Sequence, residues 1–224
     1  MRRATGVVGE VLLTLGVLLL LFAAWQLGWT DVVSNRESAR VVEELRGGFA
    51  GRTDAGASSA DAGVRLADGA FALVLVPRFG AEWVQPVFEG TGLPVLAKGV
   101  GHYVGSAEPG QVGNFAVAGH RTTHGRPFHD IDALRLGDRV VVQTVEAVYV
   151  YAVTGHEVVD PAAVRVIAPV PDEPGATPTE AVLTMTSCDP PFRATQRYVV
   201  HARLAETLPA GRVDEALSTS PAGG

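Results

Sequence analysis

A single thiol, Cys188, stands in a chain of 224 residues, within the stretch LTMTSCDPPFRATQRYVVHARL. A thiolate attacks a carbonyl carbon, and a neighbouring imidazole exchanges the proton and later protonates the departing amine. Arginine, permanently charged and built as a rigid fork of donors, holds the resulting oxyanion or the substrate backbone. Arg197 follows Cys188 across the loop DPPFRATQ, where Pro190 and Pro191 restrict the backbone. Arg193 is a nearer competitor for the same role. Among six histidines, His120 in NFAVAGHR is the candidate acid/base, with His124 and His129 as competitors. A metal held by His120, His124 and His129 is conceivable, but these residues lie in a Gly- and Pro-containing loop with no second anchored ligand pair. His102, His156 and His201 read as structural. Thiol, imidazole and guanidinium together form a constellation for acyl transfer. On composition alone a second reading of Cys188 stands, a buried residue packing as a small hydrophobe.

Side chains alternate faces along a strand, so parity shows which residues share a side. AVLTMTSC places Val182, Thr184, Thr186 and Cys188 on one face and Ala181, Leu183, Met185 and Ser187 on the other, which puts the thiol on the more polar side. In RYVVHARL the apolar set Tyr198, Val200, Ala202 and Leu204 belongs to the core, so Arg197 points away from it. NFAVAGHR groups Asn114, Ala116, Ala118 and His120 opposite Phe115, Val117 and Gly119. The imidazole thus sits at a strand end among small residues, where another group can approach.

The elements that must position these residues are strands. FALVLVP, QPVFEG, KGVGHYVG, NFAVAGH, RVVVQTVEAVYVYAVTGHEVV, AVLTMTSC and QRYVVHARL are runs rich in Val, Tyr, Phe and Thr, punctuated by Gly-, Pro- and Asp-containing turns. Their spacing predicts an all-β fold, a closed or nearly closed antiparallel barrel over 70–207. HDIDALRLGDR and DPAAVRVIAP read as single helical turns between strands. Residues 30–46 read as a short exposed helix, 47–69 as a flexible linker and 208–224 as a disordered tail.

The N-terminal region sets the expected location. After a tail at 1–6, the run Val7 to Trp29 meets the roughly 20 apolar residues that cross a bilayer core as helix. Arg2 and Arg3 precede it and Asp31 follows, a bias that predicts a single-pass anchor in the cell membrane with a cytoplasmic N-terminus and an extracellular catalytic domain. A cleaved signal peptide fits less well, because the run exceeds the usual core of about 7–15 residues and offers no clean small-x-small cleavage site. Oxidising compartments turn spare cysteines into disulfides, so a leftover thiol outside the cytoplasm reads as reactive. The net charge of -6 argues against nucleic acid as a partner, since phosphate binding needs a basic surface.

TMTSC (Thr184 to Cys188) followed by Arg197 resembles the sortase signature TLxTC with its downstream arginine. GNFAVAGHRTTHGRPF (Gly113 to Phe128) resembles the histidine segment of that family, most closely in class E sortases of actinobacteria, and HYVGSAEPGQVGN (His102 to Asn114) resembles the turn before it. The resemblance covers Leu73 to Leu204. It implies an eight-stranded sortase-type β-barrel with short helices, preceded here by the transmembrane helix. It further implies cleavage of an LAxTG-like C-terminal sorting signal between Thr and Gly, a thioacyl-enzyme, and transfer to a cell-wall amine. By motif, Cys188 would be the nucleophile, His120 the acid/base and Arg197 the oxyanion or substrate binder, with Thr186, Ser187 and His124 at the substrate. Partners implied are secreted proteins bearing the signal and a peptidoglycan precursor amine, as in lipid II. No cofactor and no metal are expected, and a monomer is the default. Met185 and Ser187 depart mildly from the signature, and His124 stands where an aromatic is expected, which bears on substrate preference and on assignment of the general acid.

Two other classes compete. A papain-like or L,D-transpeptidase-type cell-wall enzyme also uses cysteine and histidine, although Ser187-Cys188-Asp189 does not match the latter's His-Gly-Cys-Arg. A non-catalytic binding barrel would leave Cys188 dispensable.

Overall fold

The computed structural model describes residues 2–53 and 69–218, with side chains of the first helix described at 9–22, 25 and 31–49. Eight strands, β1 (Ala70–Leu75), β2 (Val84–Glu89), β3 (Val100–His102), β4 (Gly113–Ala118), β5 (Arg139–Gln143), β6 (Ala147–Val159), β7 (Ala181–Asp189) and β8 (Gln196–Pro209), close into one barrel. Their order around it is β1-β2-β3-β4-β7-β8-β6-β5. The expected antiparallel barrel is corrected at two seams, where β2 pairs with β3 and β4 with β7 in parallel. Alternation along a strand reports which face is buried and carries no information on the direction of its neighbour. The long run from 139 to 159 divides at a turn, where the Thr144 hydroxyl accepts the backbone N–H groups of Glu146 and Ala147 at 3.2 Å.

Strand parity sorts the apolar residues into two clusters. Val74 and Val76 point into the barrel with Val87, Val100, Phe115, Val117, Leu183, Met185, Val200 and Ala202. Leu73 and Leu75, on the opposite face of β1, join a second cluster with Phe88, Val141 and Val150. This is why FALVLV is apolar throughout instead of alternating: both of its faces are covered.

One cover is α1 (Arg2–Thr53), a continuous helix of 52 residues. Its residues Val41, Val42, Leu45 and Phe49 are buried at 5% exposure or less against the second cluster. The 30–46 segment is therefore not an exposed helix. Burial of each such side chain contributes about 1.5–3 kcal/mol. The helix also continues through 47–53, the start of the expected linker, whose remaining residues 54–68 lie outside the described ones. A second cover is α3 (Val213–Ser218), where expected tail residues dock: Ala216 is fully buried and its carbonyl accepts from Arg139 Nη1 at 2.8 Å. A one-turn helix, α2 (Leu93–Leu96), lies between β2 and β3.

The expected membrane span and single-pass membrane location are not upheld. Among the described residues no helix is long and apolar enough to cross a membrane.

Candidate active site

β7 and β8 pair antiparallel with Cys188 directly opposite Arg197. Residues so opposed project from one face with Cβ atoms about 4.5–5.5 Å apart. On the other side of β7 runs β4, parallel, with Ala118 opposite Thr186. Continuing that register two residues brings His120 level with Cys188. Two bonds hold the register there: Gly119 N–H donates to Thr186 O at 3.1 Å, and Ser187 Oγ donates to Gly119 O at 2.8 Å. Three adjacent strands thus bring cysteine, histidine and arginine to the same end and outer face of the barrel. All three are partly exposed.

The face beside them is floored by β4 and β7. Tyr103, just past β3, bonds its hydroxyl to Thr186 Oγ1 at 3.0 Å. At the other end, Asn114 Nδ2 donates to the carbonyls of Val166 and Ala168, tying the β6–β7 loop to β4. Val159, Val166 and Val199 form a small apolar cluster under that loop.

His120 stacks on His124 with ring centroids 5.0 Å apart and an interplanar angle of 24°. Burial, and secondarily the like charge of His124, lower the pKa of His120 below the ordinary imidazole value. The shift favours the neutral ring. Its Nε2 is sealed from solvent with no hydrogen-bond partner among the described residues, as is Nδ1 of His124. His124 holds a left-handed φ of 53°, a conformation histidine tolerates better than most residues.

The loop carrying His124 is fastened to α1. Asp31 Oδ1 accepts the Gly125 N–H at 3.1 Å, and its other oxygen pairs with Arg126 Nε at 3.3 Å. Gly125 holds a φ of 77°, which favours glycine, and a Cβ there would also lie 2.5 Å from Asn35 Oδ1 of the helix, forcing that side chain to turn away.

Arg197 places Nη1 on the carbonyls of Gln196 (2.9 Å) and Ala194 (3.2 Å), which arches the guanidinium over its own loop next to Cys188. Arg193 lies on the exposed loop, flanked by Phe192 and Ala194 at φ of 67° and 54°. Thr186 shares the thiol's face but is 4% exposed, with Tyr103 and the Val117 carbonyl as partners. Ser187 is corrected as a substrate contact: it points into the barrel, 2% exposed, with its hydroxyl committed to Gly119.

Arg121 was not singled out by sequence reasoning. It is 4% exposed, and its Nη1 donates to the Asp189 carboxylate and to the Cys188 carbonyl (3.4 Å), while Nη2 pairs with Asp132 at 2.7 Å. The available signal was a charged residue immediately past an apolar strand; its partner Asp189 is 68 residues away in sequence.

His120, His124 and His129 do not converge as metal ligands: His129 turns its Nδ1 to the Arg121 carbonyl at 3.0 Å. Two other groups have converging donor atoms, Glu89–His102–Glu108 and Glu157–Asp172–His201. In the first, His102 is bonded by Glu89 (3.1 Å) and Ser106 (2.7 Å); in the second, Arg165 pairs with both carboxylates. The second group is thus an ion-pair network, and the His102 ring of the first is held by hydrogen bonds. A cavity of about 420 Å³ edged by Arg46, Trp83, Gln143 and Leu217 shares no lining residue with the cysteine site.

The family model described as the sortase domain matches residues 74–205. Sortase SrtE1 of Streptomyces coelicolor is 35% identical over 218 residues, a match that takes in 92% of this chain and 58% of that relative's length. The solved structure of sortase E from Streptomyces avermitilis is 45% identical, covering 67% of this chain and 97% of that one, with a TM-score of 0.60. That of sortase E1 from Streptomyces coelicolor, which holds a tripeptide in its active site, is 33% identical over 67% of this chain and 96% of that one, with a TM-score of 0.59. With a barrel closed in this order and a family match running from within β1 to within β8, the chain belongs to the sortase family.

Proposed function

We propose that this chain cleaves an LAxTG-like C-terminal sorting signal between Thr and Gly and transfers the protein to a peptidoglycan-precursor amine, as in lipid II. Cys188 Sγ attacks the threonine carbonyl, His120 takes the thiol proton, and the tetrahedral oxyanion faces Arg197. Collapse breaks the C–N bond, His120 returns the proton to the glycine amine, and a thioester remains on Cys188. The acceptor amine attacks that thioester, gives its proton to His120 and releases the thiol. The observation that carries this reading is the strand register that sets Cys188 opposite Arg197 and level with His120. The tripeptide in the active site of sortase E1 supports a peptide substrate for the same fold.

The outer face beside Cys188, with Thr186 beneath it and His124 overlooking it, is the proposed seat of the signal. Incubation of the full chain with an LAxTG peptide should leave a thioester on Cys188, seen by mass, and release the segment after threonine. Cleavage that survives Cys188→Ala ends the proposal.

A further inference from the structure

We propose that Arg121 is a positioning residue for the transfer reaction, a clamp that fixes the His120 imidazole against the Cys188 thiol; the inference rests on the roles proposed for those two side chains. Among the described residues the β4–β7 seam is the only strand contact between them, and its last backbone bond, Gly119 N–H to Thr186 O, lies one residue short of His120 and two short of Cys188. Beyond that point β4 turns into a loop, while β7 continues to Asp189 paired with β8 alone. Arg121 follows His120 directly, and Asp189 follows Cys188 directly. Their ion pair therefore joins the two residues next to the two reacting ones, and the same Nη1 also reaches the Cys188 carbonyl.

The base of the clamp is fixed as well. His129 Nδ1 meets the Arg121 carbonyl at 3.0 Å, and the Phe128 N–H donates to the His120 carbonyl at 3.0 Å. Asp132 takes the second arm of the guanidinium at 2.7 Å, and the Tyr198 ring lies 5.6 Å from its centre. A fork is needed to serve Asp189, Asp132 and a carbonyl together; a lysine ammonium on a flexible stem is not held in such a geometry. The Arg121 side chain is 3% exposed, which leaves it no access to a substrate and separates its role from that of Arg197.

The test compares the full chain with Arg121→Lys, Asp189→Asn and the double variant Arg121→Met/Asp189→Asn, each checked for folding by circular dichroism. A displacement of about 1 Å at reacting atoms costs on the order of 10²-fold. The double variant removes both charges of the pair together, so a purely stabilising pair would leave a folded enzyme of normal turnover. A clamp gives a folded enzyme with kcat lowered roughly 10- to 100-fold and KM within about threefold. Arg121→Lys and Asp189→Asn should lower kcat by smaller factors, again at nearly constant KM.

A folded double variant with kcat within twofold of the parent overturns the clamp; should it not fold, parental kcat in both single variants does so. Absence of a thioester in the parent overturns the transpeptidase reading instead. In that case the clamp is read from iodoacetamide alkylation of Cys188, the single thiol of the chain. An alkylation rate unmoved in all folded variants refutes it, and a changed rate supports it.

Discussion

Gly119 is the last residue before the proposed acid/base and packs flat against Phe128. A Cβ built on it lies 2.6, 2.9 and 3.0 Å from three carbons of that ring. Carbon atoms rest about 3.5–4.0 Å apart, so the nearest contact, at 2.6 Å, demands a movement of roughly 0.9–1.4 Å in Gly119→Ala. The ring is fully buried in the barrel core and cannot swing into solvent. Overpacking of this kind costs about 1–3 kcal/mol, which for a domain of this size lowers Tm by roughly 2–12 °C. The movement is not confined to stability. Phe128 N–H donates to the His120 carbonyl at 3.0 Å, so shifting either residue shifts the imidazole, and kcat should fall on the order of 10- to 100-fold. Thermal unfolding by circular dichroism and transfer of an LAxTG peptide to an amine measure the two effects. Adding Phe128→Leu should recover part of the turnover lost by Gly119→Ala, a coupling that two independent sites would lack. A Gly119→Ala chain with parental Tm and parental kcat would refute the argument.

Arg197→Met should lower kcat/KM by about 10²-fold or more if the guanidinium holds the oxyanion, and Arg193→Met by a much smaller factor; equal effects would reject the assignment. His124→Phe keeps a stacked ring and removes a like charge, so His120 should hold its proton to higher pH and the acid limb of kcat/KM should move up; a limb that stays or moves down contradicts the pairing. Because burial and His124 depress the folded pKa of His120, the neutral ring's contribution to stability is complete above the unfolded imidazole range and is lost as pH falls through the lowered value. Asp138 accepts Arg78 Nε (2.7 Å) and Nη2 (2.6 Å) and the Arg135 N–H (2.8 Å), and the Arg78 bonds chiefly hold its carboxyl below the usual range. Its contribution is present above the unfolded carboxyl range and lost as pH falls through the folded value, so Asp138→Asn should be less stable at neutral pH and should converge with the parent in acid unfolding.

The face assignments of Cys188, His120 and Arg197 were legible because strand parity is local: Leu183 and Met185 had to enter the core, which sent Cys188 outward. The two helical turns between strands were equally legible at Ile131–Ala133 and Val164–Ile167. What escaped depends on partners distant in sequence. Parallel pairing of β4 with β7 leaves no mark in either strand, and the burial of Arg121 needs Asp132 and Asp189 to be brought to it. Ser187 was grouped with the substrate contacts by its place in the signature, although its parity with Met185 already turned it inward. The docking of α1 was hidden for a related reason: Val41, Val42, Leu45 and Phe49 form a modest stripe among charges, and their burial follows from the outward apolar face of β1.

The parallel seam also governs when chemistry becomes available as the chain folds. Gly113 meets Ala181, so the intervening segment, with all of β5 and β6, is the loop that must close before imidazole and sulfur become neighbours. Closing a span of that length costs about 4 kcal/mol in chain entropy, offset only by late, cooperative burial. Synthesis delivers His120 well ahead of Cys188, and Arg197 last. On the proposed roles, a nascent or truncated chain carries its thiol without the imidazole and guanidinium neighbours, and peptide cleavage would report that the last strand has arrived.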